Sequence, residues 1–303
     1  MLTQAHLKTF LLYCADQKRL DAKTIKAYRI DITQFISFLN QEGYDTLSKE
    51  TVRNYIAYLN RNFKPRSAKR KLASAKGFFA YLTEEGHLLE NPFLGLRISF
   101  PKSLSLPRTI PLKTIQAMIV QAHNQAREAR TDHSRHTTLR NTAVVELLFA
   151  TGMRVSELCG IKEQDLDLLD GTVFIHGKGN RERIVEIENE EVLKTLKKYN
   201  ESKPRHTEYF FLNNRGNPLS DQSARRIIES CAKAVDPARH ITPHMFRHSF
   251  ATLLLEEDVD IRYIQQLLGH SSISTTQIYA YVSSEKRRMI LSTRHPRNKI
   301  SAD

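Results

Sequence analysis

Residues 242–252 read TPHMFRHSFAT, and this stretch decides how the second half of the chain is expected to fold. Threonine is a common helix N-cap, and the proline after it suits the first helical position because its missing N–H would have no partner there. The stretch therefore predicts a helix that begins at the proline. Spacings of three and four then place His244, Arg247 and His248 on one face of that helix.

Two chemistries fit this histidine–arginine face. The spacing of His244 and His248 permits a metal pair, but no carboxylate or cysteine ligand follows at a recognisable interval. An arginine beside two donor-capable histidines is better suited to a phosphodiester, because the guanidinium fork matches phosphate oxygens. A solvated or capping cluster remains the ordinary alternative for any single histidine. The face is interpreted as a phosphate site.

Three further segments surround this helix in the chain. TGMRVSEL at 151–158 precedes it, and LLGH at 267–270 and TTQIYAYV at 275–282 follow it. With HMFRHSFAT between them, the chain resembles the tyrosine recombinases of the phage-integrase and Xer group. The resemblance implies a catalytic set at the matching positions Arg154, Lys178, His244, Arg247, His270 and Tyr279.

The resemblance implies that duplex DNA is cut and rejoined through a 3′-phosphotyrosyl bond to Tyr279 and a Holliday junction. In-line attack on a phosphodiester builds negative charge on its oxygens, which Arg154 and Arg247 would relieve. Tyrosine has an ordinary pKa of about 10, and the resemblance assigns His244 as the general base that helps to deprotonate it. Lys178, on a glycine-flanked turn, would protonate the departing 5′-hydroxyl.

Supporting roles are implied for the neighbours of this set. Glu157 matches the acidic position that supports the active-site arginine, and His270 would hydrogen-bond the phosphate. His248 is expected to be structural and close to the site. Tyr281 is the rival nucleophile, but family members often carry histidine at that place, which favours Tyr279.

The first third of the chain predicts four short helices that form a compact bundle. The second helix begins near Asp21 and is stopped by Gly43, the third opens at Ser48, and the fourth runs from about Pro65 to Thr83. The segments DAKTIKAYRIDITQFISFL and PRSAKRKLASAKGFFAYL resemble the family's SAM-like core-binding domain. The resemblance therefore implies that this bundle binds DNA.

A basic window without a single acid lies within this bundle, and it is interpreted as a surface that contacts DNA phosphates. Its cations are Arg61, Lys64, Arg66, Lys69, Arg70, Lys71 and Lys76. By the resemblance, the candidate DNA contacts are Thr24, Lys26, Arg66, Lys69, Arg70 and Lys76. A solvated face is the alternative for any one of them.

The second half of the chain predicts helices with a small antiparallel sheet. Residues 171–187 change to a period of two around the turn Gly177-Lys178-Gly179-Asn180, which predicts a β-hairpin. The polar segment Arg130–Thr138 is interpreted as a surface loop. Further helices are predicted at 190–199, 220–234, 260–268 and 274–281. The fold class is thus mainly α with a small antiparallel β-sheet.

Four prolines interrupt the helical pattern between Asn91 and Pro111 and predict an interdomain linker. We expect an N-terminal SAM-like helical bundle and a C-terminal tyrosine-recombinase catalytic domain on either side of it. The predicted bounds are 1–95 for the core-binding domain, 96–110 for the linker, 111–290 for the catalytic domain and 291–303 for a C-terminal tail.

One segment of the second domain, residues 121–138, is longer than in the shorter Xer-type relatives, and no use is assigned to it. Its histidines, His123, His133 and His136, have a spacing without cysteine that fits no closed zinc site. They are expected to lie in an exposed loop. The prediction is that the protein holds no metal and needs no cofactor.

The composition points to a polyanionic partner. The chain carries 46 Lys and Arg against 33 Asp and Glu, for a formal net charge of +13. No apolar run is long enough for a transmembrane helix, and no signal peptide is recognised. The three cysteines are far apart and fit buried free thiols in a reducing compartment. A cytoplasmic, nucleoid-associated protein without a membrane partner is expected.

The expected partner is double-stranded DNA with inverted half-sites, held by a tetramer of this chain. Strand exchange joins two sites that each hold two protomers, which is why a tetramer is implied. The tail after Val282, with Arg287, Arg288, Met289 and Ile290, is expected to dock into a neighbouring protomer. An accessory protein or a sister recombinase stays open as a further partner.

Two other classes of protein share part of this pattern. A catalytically silent DNA-binding protein would have the same charge and fold but needs no complete catalytic set. A type IB topoisomerase would share the chemistry but relaxes DNA as a monomer. Within the recombinases, both the resolution of replicon dimers and the integration or excision of a mobile element remain compatible with the sequence.

Overall fold

The computed structural model describes residues 4–44, 47–96, 98, 108–177, 181–203 and 208–269. The chain divides into two compact units, residues 1–105 and 106–303. Each unit is built around its own cluster of buried apolar side chains. The two units are therefore described separately.

The first unit contains the four predicted helices. They are α1 (Gln4–Asp16), α2 (Ala22–Gln41), α3 (Lys49–Asn62) and α4 (Pro65–Glu84). The side chain of Asp21 accepts from the Thr24 N–H at the start of α2, and Ser48 forms a capping box with Thr51 at the start of α3. Gly43 follows α2 with a φ of +68°. The predicted helix starts and stops are confirmed.

Aromatic side chains fill the core of the first unit. Phe10, Phe35, Phe78, Phe79 and Tyr55 are each exposed by 2% or less. The rings of Phe35 and Tyr55 meet edge to face with centroids 4.6 Å apart, and those of Phe10 and Phe78 are 5.1 Å apart. This packing stabilises the four helices, because most helical stability in proteins comes from the burial of an apolar face.

In the second unit, the described helical elements are α5 (Leu112–Glu128), α6 (Asp132–Thr151), α7 (Val155–Cys159), a 3-10 turn (Glu163–Asp165), α8 (Glu190–Ser202), α9 (Asp221–Val235), α10 (Pro243–Glu256) and α11 (Ile261–Leu268). The helix α6 packs against α5, α7, α8, α9 and α10, and its C-terminal half is buried. In α6, Val144, Val145, Leu147 and Leu148 are fully buried. The predicted helices at 190–199, 220–234 and 260–268 are confirmed, and that at 274–281 lies outside the described residues.

The interpretation of Arg130–Thr138 as a surface loop is wrong. The Thr131 side chain accepts from the Ser134 N–H, so α6 begins at Asp132, one turn after α5 ends. The His136 ring packs against Tyr199 of α8. The polar residues in these first turns face solvent on one side and α8 on the other, which hides the helical pattern from an apolar count.

A three-stranded antiparallel sheet lies beside these helices. Strands β1 (Leu166–Asp167), β2 (Thr172–Gly177) and β3 (Arg181–Glu186) pair in that order. The β2–β3 pairing confirms the predicted hairpin, with Val173 opposite Val185. The two-residue strand β1 was not predicted, because so short a run shows no alternation.

The described part of the chain is mainly α-helical with a small antiparallel sheet, as expected. Cys14, Cys159 and Cys231 are buried free thiols, which confirms that prediction. Among the residues described, no helix combines the length and the apolar character needed to cross a membrane.

Candidate active site

Arg154 lies at the start of α7, directly after the end of α6. Gly152 ends α6 in the left-handed conformation, with φ +59° and its N–H donating to Leu148 O. This sharp turn makes Arg154 the N-cap residue of α7. The Arg154 backbone N–H donates to Glu157 Oε2 at 2.8 Å, and its Nη1 donates to Glu157 Oε1 at 2.6 Å. The guanidinium is thereby oriented while 37% of the side chain remains exposed.

Arg247, on α10, is 5% exposed. Its Nη1 donates to Gly152 O at 2.9 Å, and its Nη2 donates to Leu268 O. The predicted helix start at Pro243 is confirmed, although the Thr242 side chain makes no capping hydrogen bond. Two elements far apart in sequence, the end of α6 and the end of α11, are thus tied to one guanidinium.

The C-terminus of α11 receives a hydrogen bond from an arginine at each of three successive carbonyls. Arg183 Nε donates to Leu267 O at 3.1 Å. Arg247 donates to Leu268 O, and Arg154 Nη2 donates to Gly269 O at 3.4 Å. The last carbonyls of a helix lack helical partners and carry the negative end of its dipole, so cations stabilise them. Arg154 and Arg247, the two arginines of the predicted catalytic set, therefore bind adjacent carbonyls at the end of α11.

Glu157 is the buried acid of this cluster. Its carboxylate also accepts from Arg183 Nη1 at 3.2 Å and from Arg183 Nη2 at 2.8 Å. Burial alone would raise the pKa of Glu157, but the hydrogen bonds and charge of Arg183 and Arg154 outweigh it and lower the pKa to about 2. The carboxylate is therefore ionised at neutral pH and holds both arginines.

His244, on the exposed face of α10, is kept neutral at physiological pH. Partial desolvation of the ring is the largest cause that lowers its pKa. The positive charges of Arg225, Arg247 and Arg154 lower the pKa further. A neutral imidazole beside two arginines can accept a proton, as a general base must.

His248 lies one turn further along α10 and is half-buried. Desolvation lowers its pKa most, followed by the nearby His244 and Arg247. The structural role expected for His248 stays a prediction.

Lys178, His270, Tyr279 and the rival Tyr281 lie outside the described residues, as does the expected docking tail with Arg287, Arg288, Met289 and Ile290. Chain connectivity alone places two of them near described elements. Lys178 directly follows β2, and His270 directly follows the arginine-bound end of α11. The described catalytic candidates are therefore Arg154, His244 and Arg247.

Two arginines of this region were not identified from the sequence. Arg183 of β3 lies opposite the buried Ile175 and two residues before the buried Val185. The period-two pattern therefore assigned its side chain to the inner face, where a charged residue needs a partner, and this signal could have found it. Arg225 of α9 had no such signal, because it is an exposed helical arginine.

The candidate DNA contacts of the first unit have different surroundings. Lys26, Arg66, Lys69 and Lys76 are exposed, whereas Thr24 donates its hydroxyl to the capping Asp21 carboxylate. Arg70 is half exposed and bonds to the fully buried Asp31. The solvent-facing lysines and arginines of α4 can still neutralise phosphates.

The assignment of Lys71 to a phosphate-contacting surface is wrong. Lys71 is 4% exposed, and its ammonium group lies 3.2 Å from Asp31 Oδ1. It also donates to Gln34 and lies over the Phe63 ring. The basic window correctly identified a run of cations, but Lys71 lies on the face of α4 that packs into the core.

Two histidines of the 121–138 segment, His123 and His136, have hydrogen-bond partners. His123 Nε2 lies 2.8 Å from the buried Glu146, and His136 Nδ1 lies 3.1 Å from Ser202 O. The expectation of an exposed loop is wrong, because His123 lies in α5 and both His133 and His136 lie in α6. Of the three side chains, only His133 is exposed. Across the part of the chain that is described, no three potential metal ligands lie together.

Comparison with known families assigns both units. The profile of the phage integrase family matches residues 113–286, and that of the phage integrase N-terminal SAM-like domain matches residues 7–86. A tyrosine recombinase of Agathobacter rectalis is 46% identical over 297 residues, which cover 97% of each chain. Tyrosine recombinase XerC of Bacillus pumilus is 37% identical over 95% of each chain.

The chain therefore belongs to the phage integrase family of tyrosine recombinases, and it is a DNA strand-breaking and rejoining enzyme. Its fold is similar to that of XerH bound to a palindromic difH substrate, with a TM-score of 0.74 and 20% identity over 95% of this chain and 84% of that one. A lambda integrase bound to a core site gives a TM-score of 0.69 and 21% identity over 91% and 97%. The expected SAM-like and integrase domains are confirmed.

Proposed function

We propose that this enzyme is a site-specific recombinase that cleaves duplex DNA by attack of Tyr279 on a phosphodiester. The product is a 3′-phosphotyrosyl ester and a free 5′-hydroxyl, and strand exchange proceeds through a Holliday junction. The observation that carries the proposal is the meeting of Arg154 and Arg247 on adjacent carbonyls of α11, with a neutral His244 within electrostatic reach.

In the proposed reaction the two arginines bind the non-bridging oxygens of the scissile phosphate. Their fixed positive charges stabilise the charge that develops as the tyrosine oxygen attacks in line. His244 accepts the tyrosine proton, and Lys178 donates a proton to the leaving 5′-oxygen. The ester conserves the energy of the broken bond, so a 5′-hydroxyl from another strand reseals it without ATP.

The proposed partner is duplex DNA with inverted half-sites, bound by a tetramer of this chain. Support comes from similarly folded proteins, which include XerH on a palindromic substrate and a lambda integrase tetramer on a Holliday junction. The exposed cations of α4 would neutralise backbone phosphates, and binding should weaken steeply as salt rises. Dimer resolution and mobile-element recombination are both within the proposal.

A nicked suicide substrate tests the chemistry. Candidate sites from the host chromosome and from mobile elements are incubated with the wild type, Tyr279→Phe and Tyr281→Phe, and covalent protein–DNA complexes are counted on denaturing gels. We expect complexes with the wild type and with Tyr281→Phe and none with Tyr279→Phe. The reverse pattern would assign the nucleophile to Tyr281.

A second measurement separates the other two classes of protein. A recombinase protects a footprint of two half-sites and joins strands from two different duplexes. A protein that binds the same footprint but never forms a covalent complex is a silent DNA-binding protein. One that relaxes supercoiled DNA as a monomer without a preferred site is a topoisomerase.

A further inference from the structure

Arg183 of β3 makes three hydrogen bonds to residues of the candidate site. Two of its nitrogens donate to Glu157, at 3.2 and 2.8 Å, and its Nε donates to Leu267 O at 3.1 Å. Its side chain is only 13% exposed. One guanidinium therefore joins β3, α7 and the end of α11.

Gly269, at the end of α11, leaves room for the Arg183 guanidinium because it has no side chain. Gly269 has a φ of +62°, and a Cβ there would come within 2.9 Å of Arg183 Nη1. A side chain at 269 would be strained and would also push the guanidinium away. The close approach of Arg183 to the end of α11 therefore depends on glycine at position 269.

The geometry also connects Arg183 to Arg154. Both arginines bond to the two oxygens of Glu157, and they donate to carbonyls two residues apart on α11. A carboxylate held from one side by Arg183 can orient Arg154 from the other. The planar guanidinium fork can make these three bonds at once, whereas a lysine ammonium on a flexible stem cannot reproduce the geometry.

We propose that Arg183 is a positioning residue of the recombination site, which fixes the Arg154 guanidinium through Glu157 and the C-terminal end of α11 through the Leu267 carbonyl. The proposal rests on the proposed function. It assigns Arg183 to the phosphate-binding side of the site, although its strand follows the turn that carries Lys178.

The first experiment compares full-length Arg183→Gln and Arg183→Lys with Arg239→Gln. Arg239 is a surface arginine whose described ion pair is with Asp236, so its variant controls for the lost charge. On the suicide substrate at saturating DNA, we expect the cleavage rate of Arg183→Gln to fall about 10- to 100-fold, as for other residues that orient an active-site group. DNA affinity should stay within about threefold, because phosphate contacts elsewhere carry the binding.

The second experiment separates the two sides of the site. In a substrate whose bridging 5′-oxygen is replaced by sulfur, the tyrosine oxygen forms the new P–O bond while the P–S bond breaks. The leaving thiolate keeps the electron pair and needs no proton, since a thiol has an ordinary pKa of only about 8.5. We expect Lys178→Ala to recover cleavage on this substrate and Arg183→Gln to remain slow.

The outcomes are distinct. If Arg183→Gln cleaves as fast as Arg239→Gln, or if sulfur rescues it as fully as Lys178→Ala, the proposal is overturned. Thermal melting checks folding, and if Arg183→Gln melts below the assay temperature, Arg183→Lys is judged instead by the same criteria. A wild type that forms no covalent complex on any site would instead overturn the proposed function.

Discussion

Each unit of the molecule buries a carboxylate between two cations, but the two clusters do different things. In the first unit, Asp31 of α2 is fully buried and bonds to Arg70, Lys71 and Ser74 of α4. In the second unit, Glu157 has 5% of its side chain exposed and bonds to Arg154 and Arg183.

The two clusters differ in which elements carry the cations and in what else those cations bind. Both cations of Asp31 lie side by side on one helix, so the cluster joins α2 to α4. The cations of Glu157 come from α7 and β3, and both continue to carbonyls of α11. The first cluster joins two helices of a bundle, whereas the second joins α7, β3 and the end of α11, which is the basis of the positioning role proposed for Arg183.

Removing the carboxylate of each cluster tests most directly whether the two clusters differ. Glu157→Ala leaves two arginines without their acid, and we expect the cleavage rate to fall about 100-fold. Asp31→Ala strands the buried Lys71 and should cost about 3 kcal/mol of unfolding free energy. At saturating DNA and a temperature where it is folded, the Asp31 variant should cleave within about threefold of wild type.

Suicide-substrate kinetics and urea unfolding of both variants measure these effects. Equal losses of cleavage in the two variants would show that the two clusters do not differ in the proposed way.

The dependence of stability on pH tests the ion pairs of Glu157. The pKa of Glu157 is lowered from 4.5 to about 2, so the folded state binds its proton later than the unfolded state. Its contribution is fully present above pH 4.5 and is lost as pH falls towards 2. The shift corresponds to about 3 kcal/mol. Urea unfolding between pH 6 and pH 2 should therefore show a shallower loss of stability in Glu157→Gln than in wild type, and parallel curves would contradict this.

Gly43 of the first unit and Gly152 of the second have the same left-handed backbone conformation but different packing around them. A Cβ at Gly152 would lie 2.5 Å from Phe250 Cδ1, whereas at Gly43 no atom of the described residues lies within 4 Å. Both have positive φ, which costs alanine about 1 kcal/mol or more. We expect Gly43→Ala to lose about 1 kcal/mol and Gly152→Ala about 3 kcal/mol.

Thermal and urea unfolding measure both glycine variants. Gly152→Ala should also slow cleavage, because Gly152 O accepts from Arg247. If the clash is the cause, the double variant Gly152→Ala, Phe250→Ala should lose less stability than the sum of the losses in the two single variants.

Removal of the Tyr55 hydroxyl, near the Asp31 cluster, should change stability very little. Within the described residues, the buried Tyr55 hydroxyl has no hydrogen-bond partner. Burial raises its pKa, and the charge of Asp31 raises it further. Removing an unsatisfied buried group is close to neutral, so Tyr55→Phe should change the free energy of unfolding by about 0.5 kcal/mol or less. A loss above about 2 kcal/mol would mean that the hydroxyl has a partner in solution.

The fold was largely predictable because most of its elements carry local signals. Asp21 and Ser48 are N-cap residues, Gly152 and Gly269 end helices in the left-handed conformation, and the 171–187 segment alternates. The start of α6 lacked such a signal, because its first turns are polar and are stabilised by tertiary contacts.

The candidate site was predictable as a set of residue types but not as a set of contacts. Motif order identified Arg154, His244 and Arg247, and the structure brings these three together. The roles of Lys71 and Arg183 depend on which way each side chain points within its element. A count of charges along the chain does not show which way a side chain points. The periodic alternation of buried and exposed positions in a helix or strand does show it.

The arginine-bound end of α11 has a consequence for how DNA binding is driven. A free arginine side chain loses about 2 kcal/mol of rotamer entropy when it is held in one conformation. Arg247 is already held by two carbonyls, and Arg154 by Glu157 and Gly269. That entropy is lost once, when the protein folds, so it does not oppose each encounter with a phosphate.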